Sequence, residues 1–154
     1  MNKLIKIYTD GSSIGNPGPG GYGIVMLTED GKYKKEFSQG FKITTNNRME
    51  LLAVILGLEN LKYKNCNVKI YTDSKYVSDA VEKGWLFDWE KKDFKNKKNP
   101  DLWRRFLEIY KNHNIKFKWI KGHNNDFYNE RCDFLANLAA KKSNLLEDKG
   151  YTIN

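Results

Sequence analysis

Five side chains in this 154-residue chain have the types and spacing for hydrolytic chemistry. Asp10 closes the run Leu4-Ile5-Lys6-Ile7-Tyr8-Thr9-Asp10, and Asp73 closes Val68-Lys69-Ile70-Tyr71-Thr72-Asp73. Two apolar segments thus end in the same Tyr-Thr-Asp, and side by side they would present both carboxylates together. Glu50 opens a helical pattern, on the face that continues through Ala53, Val54, Gly57 and Leu61, the face expected against a sheet. Asp133 sits four positions after Asn129, in the first turns of the last helical pattern. Carboxylates gathered without partners repel each other and are costly to bury. A hard divalent cation such as Mg2+ removes both problems, because it prefers oxygen ligands and keeps waters and substrate phosphates. Two such ions about 4 Å apart clamp the attacking water and the leaving oxygen of a displacement at phosphorus. His123, in a glycine-containing loop upstream of Asp133, has the chemistry to relay a proton.

Each group also has an ordinary role open to it. Asp10 and Asp73 fit turn or cap positions. Asn47-x-x-Glu50 fits a capping box. Asp133 suits a helix N-terminus, His123 an exposed loop, and His113 the dipole at the end of a basic helix.

The elements that must position these groups follow from periodicity and turn residues. Residues 4–9 read as a strand, and Asp10 to Gly21 as turn chemistry. Strands over Tyr22 to Leu27 and Tyr33 to Phe41 are joined at Glu29-Asp30-Gly31, a hairpin signal. The first helix starts at Asn46 or Asn47 and runs to about Lys64-Asn65. Val68 to Thr72 is a strand, and Ser74 caps a short helix from Lys75 to Glu82, stopped by Gly84. A helix from Leu102 to Asn112, a strand from Ile115 to Ile120 and a helix from Asn129 to Lys142 complete the pattern. Leu135, Leu138 and Ala139 are expected to face inward, and the polar tail from Leu145 to be loosely held. The tally is a mixed α/β domain with an antiparallel arm followed by parallel strands on right-handed crossovers. Sites in such folds gather beyond the carboxyl ends of the strands.

The length suits one domain over residues 1–154. Cys66 and Cys132 match neither a disulfide framework nor a metal-ligand spacing and read as reduced thiols. There is no apolar run of membrane-spanning length and no apolar leader, which predicts a cytoplasmic protein. With 27 Lys+Arg against 19 Asp+Glu, the formal charge is +8. A basic chain around an acidic site suggests a polyanion held by the surroundings and metal ions at the centre. Residues 85–99 concentrate that character. Trp85 and Trp89 come first, then Lys91, Lys92, Lys95, Lys97 and Lys98, diluted by Asp88, Glu90 and Asp93. Such residues stack on bases and neutralise phosphates. Alternatively, the two tryptophans, four apart, pack into the core.

Five further stretches complete a resemblance that begins at Tyr8-Thr9-Asp10-Gly11-Ser12. They are Gly15-Asn16-Pro17-Gly18-Pro19-Gly20-Gly21-Tyr22-Gly23, Thr44-Thr45-Asn46-Asn47-Arg48-Met49-Glu50-Leu51, Tyr71-Thr72-Asp73-Ser74, Gly122-His123 and Asn129-Glu130-Arg131-Cys132-Asp133. Together they closely resemble the bacterial type I ribonuclease H family over roughly residues 3 to 142. The resemblance implies a five-stranded mixed sheet with flanking helices, and an endonuclease that cuts the RNA strand of RNA–DNA hybrids to 5′-phosphate and 3′-hydroxyl ends. It implies Asp10, Glu50, Asp73 and Asp133 as ligands of two Mg2+ ions, with Mn2+ open as a substitute, and His123 as the loop residue that assists proton transfer. It implies Gly11, Ser13 and Asn46, with Glu50, as readers of the 2′-hydroxyl. Asn16 and Asn47 resemble DNA-strand or minor-groove contacts, Thr45 part of a phosphate pocket, and the segment from Trp85 to Lys98 the basic protrusion that grips the DNA strand. Ile43 stands where many members carry Arg, and Lys75 where Gln is common, so both bear on substrate affinity. No feature suggests an oligomer, and a monomer is expected. Two other functions fit parts of the pattern: a silent nucleic-acid binder using the basic segment, and a metal nuclease acting on DNA joints or ends.

Overall fold

The computed structural model describes residues 4–151, so the readings of the first three and last three residues lie outside it. Its strands are β1 (Leu4–Ser13), β2 (Gly18–Thr28), β3 (Lys34–Thr44), β4 (Asn67–Thr72) and β5 (Asn114–Trp119). Its helices are α1 (Asn46–Glu59), α2 (Lys75–Glu82), α3 (Trp85–Lys91), α4 (Pro100–Tyr110) and α5 (Phe127–Ala140). The five strands form one mixed sheet in the order β3-β2-β1-β4-β5. β1, β2 and β3 pair antiparallel through short turns, while β4 joins β1, and β5 joins β4, in parallel. α1 covers one face of the sheet at β1 and β2, with α4 and α2 beside it, and α5 crosses β1, β2 and β3 on the other face.

Ile7 and Ile70, both fully buried, anchor β1 and β4 in the larger core between the sheet and α1. Burying such a side chain contributes about 1.5–3 kcal/mol. Trp103 and Phe106 of α4 extend that core beneath β5. The smaller core on the α5 side holds Tyr8, Val25, Leu27 and Cys132.

Several sequence expectations are corrected. β1 continues through Asp10 to Ser13, because these residues pair with Gly20 to Gly23 of β2. The glycines there serve packing rather than a turn: a Cβ on Gly23 would overlap the Cys132 carbonyl, and one on Gly21 would lie 2.6 Å from the Ala136 carbonyl. α5 therefore approaches β2 on its small residues Cys132, Ala136, Ala139 and Ala140, and Leu138, expected inside, is exposed. α1 is capped by the Thr45 hydroxyl, which accepts from the Arg48 amide, and not by a box from Asn47. That helix ends at Glu59, earlier than its apolar spacing implied. His113 is no dipole partner, since its Nδ1 accepts from the Cys66 amide and burial lowers its pKa. The tail is not loose over the described residues. Leu146 bonds to Gly40 and Lys42 beside β3, and Asp148 meets the buried Arg48. Cys66 and Cys132 are free thiols, and among the described residues no helix is long and apolar enough to cross a membrane.

Candidate active site

Parallel pairing sets the geometry of the acids. Tyr8 lies opposite Tyr71 at the end of the parallel pairing, so Asp10 and Asp73, each two residues further on, emerge together where β1 and β4 part. The N-terminal turns of α1 bring Glu50 over the same point. One oxygen from each of Asp10, Glu50 and Asp73 lies within 4.8 Å of the others. Asp133, on α5, faces the same cleft, with its Oδ1 and backbone carbonyl accepting from the Asn137 side chain. His123, in the loop between β5 and α5, sits at the rim, exposed and with φ of 55°.

The cluster is electrostatically crowded. Asp10 is 5% exposed, and burial, then the neighbouring Asp73, pushes its pKa up to about 8. Glu50 is held well above its ordinary value by burial first and by Asp10 and Asp73 after it. Its Oε1 is buried with no hydrogen-bond partner, an uncompensated cost in a folded protein. A cation bound among these oxygens would satisfy that atom and offset the repulsion. The donors are all carboxylates, the set that hard divalent ions prefer.

Small residues keep the acids close. A Cβ on Gly11 would overlap the Met49 carbonyl carbon and the Glu50 nitrogen, so α1 approaches β1 this closely only because position 11 is glycine. At Gly122 a Cβ would sit 2.6 Å from Asp73 Oδ2. Trp119 Nε1 donates to the Asp73 carbonyl at 2.9 Å, and the Gly11 amide donates to Asp10 Oδ1 at 3.0 Å. Ser74 and Tyr76 also line the cleft. The sequence reading missed these roles for Trp119, Gly122 and Tyr76. Asn137 carried a legible signal, four residues after Asp133.

The expected substrate contacts fall into three places. Gly11, Asn46, Asn47 and Lys75 line the cleft with the acids, and Lys75 Nζ lies 4.8 Å from the Trp119 ring centre. Ser13 and Asn16 are tied to α1: the Ser13 amide and hydroxyl donate to Asn46 Oδ1, and Asn16 Oδ1 accepts from the Asn46 amide. A neighbouring groove gathers Asn16, Thr45 and Asn47 with Lys97 and Lys98. Trp85, Trp89, Lys92, Lys95 and Lys97 line a separate hollow, with Lys91 exposed nearby on α3. The two tryptophans differ. Trp85 is 45% exposed beneath Lys83, while Trp89 packs edge-on against buried Trp103. Ile43 is 46% exposed on β3.

The ribonuclease H family model matches residues 2–141. The chain belongs to the ribonuclease H family. It is 57% identical to the ribonuclease H of Desulforamulus reducens over 93% of this chain and 91% of that one. Among solved ribonuclease H structures, LC9-RNase H1, a type 1 enzyme, matches with a TM-score of 0.81 and 30% identity, covering 91% of this chain and 73% of its own. LC11-RNase H1, solved in complex with an RNA/DNA hybrid, matches with a TM-score of 0.69 and 30% identity, over 88% of this chain and 96% of its own. The mixed five-stranded sheet expected from the motifs is the sheet observed.

Proposed function

We propose that this ribonuclease H family member hydrolyses the RNA strand of RNA–DNA hybrids internally, leaving 5′-phosphate and 3′-hydroxyl ends, with Mg2+ held by Asp10, Glu50, Asp73 and Asp133. The observation that carries this reading is the meeting of three carboxylates within 4.8 Å, one with an orphaned buried oxygen. Bound there, divalent ions supply Lewis acidity toward the phosphate and its attacking water. Asp10 and Glu50, fixed by β1 and α1, set where the scissile phosphate sits. The products require a new bond from the water oxygen to phosphorus as the bond from phosphorus to the 3′-oxygen breaks, with the proton that the water loses passing to solvent. An imidazole nitrogen of His123 donates the proton that the 3′-oxygen needs.

Strand choice follows from the α1 N-terminus. Asn46 Oδ1 is occupied by the Ser13 amide and hydroxyl, which leaves the side-chain nitrogen Nδ2 of Asn46 to donate to a ribose 2′-hydroxyl beside Gly11. Lys97 and Lys98 share a groove with Asn16, Thr45 and Asn47, which supports these five as a track for the DNA strand. Lys91, Lys92, Lys95 and exposed Trp85 extend it as a basic protrusion within one catalytic domain. Trp89 supports that protrusion from inside. Lys75 adds a charge at the cleft. The cleft is built from one chain, and we propose a monomer acting in the cytoplasm.

The test offers RNA–DNA, RNA–RNA, DNA–DNA and single-ribonucleotide duplexes of one sequence with Mg2+, with chelator, and to Asp10→Asn. Cuts confined to the RNA of the hybrid and lost in both controls are expected. Hybrid bound but left whole under Mg2+ and Mn2+ would make the protein a binder, and cutting of DNA duplexes would make it a DNA nuclease.

A further inference from the structure

A second positively charged surface lies on the α5 side of the sheet, at the border of the area that α5 covers. The repeated run is five residues long: both copies read Lys-Ile-Tyr-Thr-Asp, at 6–10 and 69–73. Parallel pairing puts them in register, Lys6 opposite Lys69 and Tyr8 opposite Tyr71. β5 continues both rows, with Lys116 opposite Lys69 and Lys118 opposite Tyr71. Alternate residues of a strand share a face. Lys6, Lys69, Lys116 and Lys118 therefore stand on the side where Tyr8, Tyr71, Ile120 and Tyr128 cluster. α5 packs on this side mainly over β1, β2 and β3, with Lys6 of β1 beside it and most of β4 and β5 beyond it.

Like charges on neighbouring strands, about 4.8 Å apart, disfavour one another. Among the described residues none of these four lysines forms an ion pair, whereas Lys83 and Lys111 pair with Asp79 and Glu108. The Lys69 ammonium lies 5.4 Å from the Tyr71 ring centre, and Lys116 and Lys118 are exposed. Asp126 caps α5 at one end, and at the other Glu29 and Asp30 of the β2–β3 turn share a hollow with Lys69 and Lys116, Asp30 Oδ1 accepting from the Thr28 hydroxyl and the Lys32 amide.

We propose that this lysine-lined face of β1, β4 and β5 is a docking track for the phosphate backbone of a single-stranded nucleic acid, separate from the catalytic cleft. Unpaired lysines in rows select a polyanion, and each phosphate neutralised releases counterions. The lysine rows span two strand spacings, about 10 Å, the width of one strand rather than a duplex. Exposed Phe127 adds aromatic surface of the kind single strands use, while the Tyr71 ring is stacked on Tyr8 with centres 4.4 Å apart. Tyr71 precedes Asp73 by two residues, so the track begins about 7 Å from the acids, within reach of an overhang on a duplex held there.

The test measures anisotropy of a labelled oligo-dT of about 20 nucleotides, which carries no ribose, in chelator. Lys69→Glu/Lys116→Glu is expected to bind at least tenfold more weakly and to lower the salt slope by about 1.4, from 0.7 per phosphate contact. Lys111→Glu/Lys142→Glu, at exposed positions outside both surfaces and with the same change in net charge, should shift binding less than threefold. Lys116→Gln/Lys118→Gln, at exposed positions, gives a milder loss without charge reversal and guards against misfolding. A saturating short blunt hybrid should leave oligo-dT bound, and cleavage of that hybrid under Mg2+ should match wild type in all three variants. Equal losses in both Glu pairs, full displacement by the hybrid, or competition by polyglutamate as strong as by the oligonucleotide would each overturn the proposal. Binding is read without turnover, so this result stands apart from the fate of the hydrolase reading.

Discussion

Arg48 holds Asp148, one hundred residues away, through bonds of 2.7 Å from Nε and 2.9 Å from a terminal nitrogen. The same guanidinium binds Asp101 through two more bonds, and the Thr44 hydroxyl donates to Asp148. Arg48 is 2% exposed and lies two residues before Glu50, so the C-terminal segment reaches the helix that carries a candidate metal ligand.

Replacing Asp148 by Asn should cost about 3 kcal/mol. Removing one partner of a buried pair typically costs 3–5 kcal/mol, and Asp101 remains as a second partner here. The urea midpoint should fall with an unchanged slope. Truncation after Ser143 should do the same, and a midpoint within error of wild type would show the strap to be idle.

The acid cluster predicts how stability varies with pH in chelator. An unfolded Asp titrates near 3.9. Asp10 in the fold titrates at about 8, through burial and then Asp73. The folded state therefore holds the proton more tightly. That contribution is complete below about pH 4 and is lost as pH rises through 8. Chelated protein should denature at lower urea at pH 8 than at pH 5, and Asp10→Asn should flatten the difference. Mg2+ at a hundred times its dissociation constant should restore about 2.7 kcal/mol at pH 8. Identical midpoints at both pH values would contradict the crowding.

Gly11→Ala should separate fold from function. The added methyl meets the backbone at Met49 and Glu50, so α1 must shift and carry Glu50 with it. A misplacement of about 1 Å costs around 100-fold in rate. Gly31→Ala has open space and only a φ of 74° to strain, so it should cost about 1 kcal/mol and leave turnover intact. Equal activity in the two variants would refute the close-approach argument.

The protrusion offers a third contrast. Lys95→Ala should weaken hybrid binding in every sequence and lower the salt slope by about 0.9. Trp85→Ala should weaken binding with little loss of stability. Trp89→Ala should instead destabilise by about 3 kcal/mol, because its ring packs on Trp103. Titrations at three salt concentrations beside thermal melts would distinguish these outcomes.

The carboxylate cluster was legible because the Tyr-Thr-Asp echo marks where the parallel pairing of β1 and β4 ends, and Glu50 falls on a small-residue helix face. The extent of β1 and β2 was not. A glycine run has the same composition in a turn as in a strand that a helix approaches closely, and only the position of α5 separates the two. Thr45 and Asn47 are both good caps, so the choice between them rested on tertiary context. Asp148 sits in a polar tail with no periodic signal, and its partner is remote in sequence. The two tryptophans shared one spacing, yet Trp103 reaches only the second.

The alignment of Tyr8 with Tyr71 has a consequence for how the cleft tolerates change. The span between Asp10 and Asp73 is inherited from backbone hydrogen bonding, which fixes neighbouring strands about 4.8 Å apart whatever their side chains. Repacking either core alters how long the fold survives heating, while the gap between the two acids stays that of the sheet. A slip in register would part them, and a one-residue slip would turn the buried isoleucine of that strand, Ile7 or Ile70, to the opposite face of the sheet. The chain that keeps its sheet keeps its ruler.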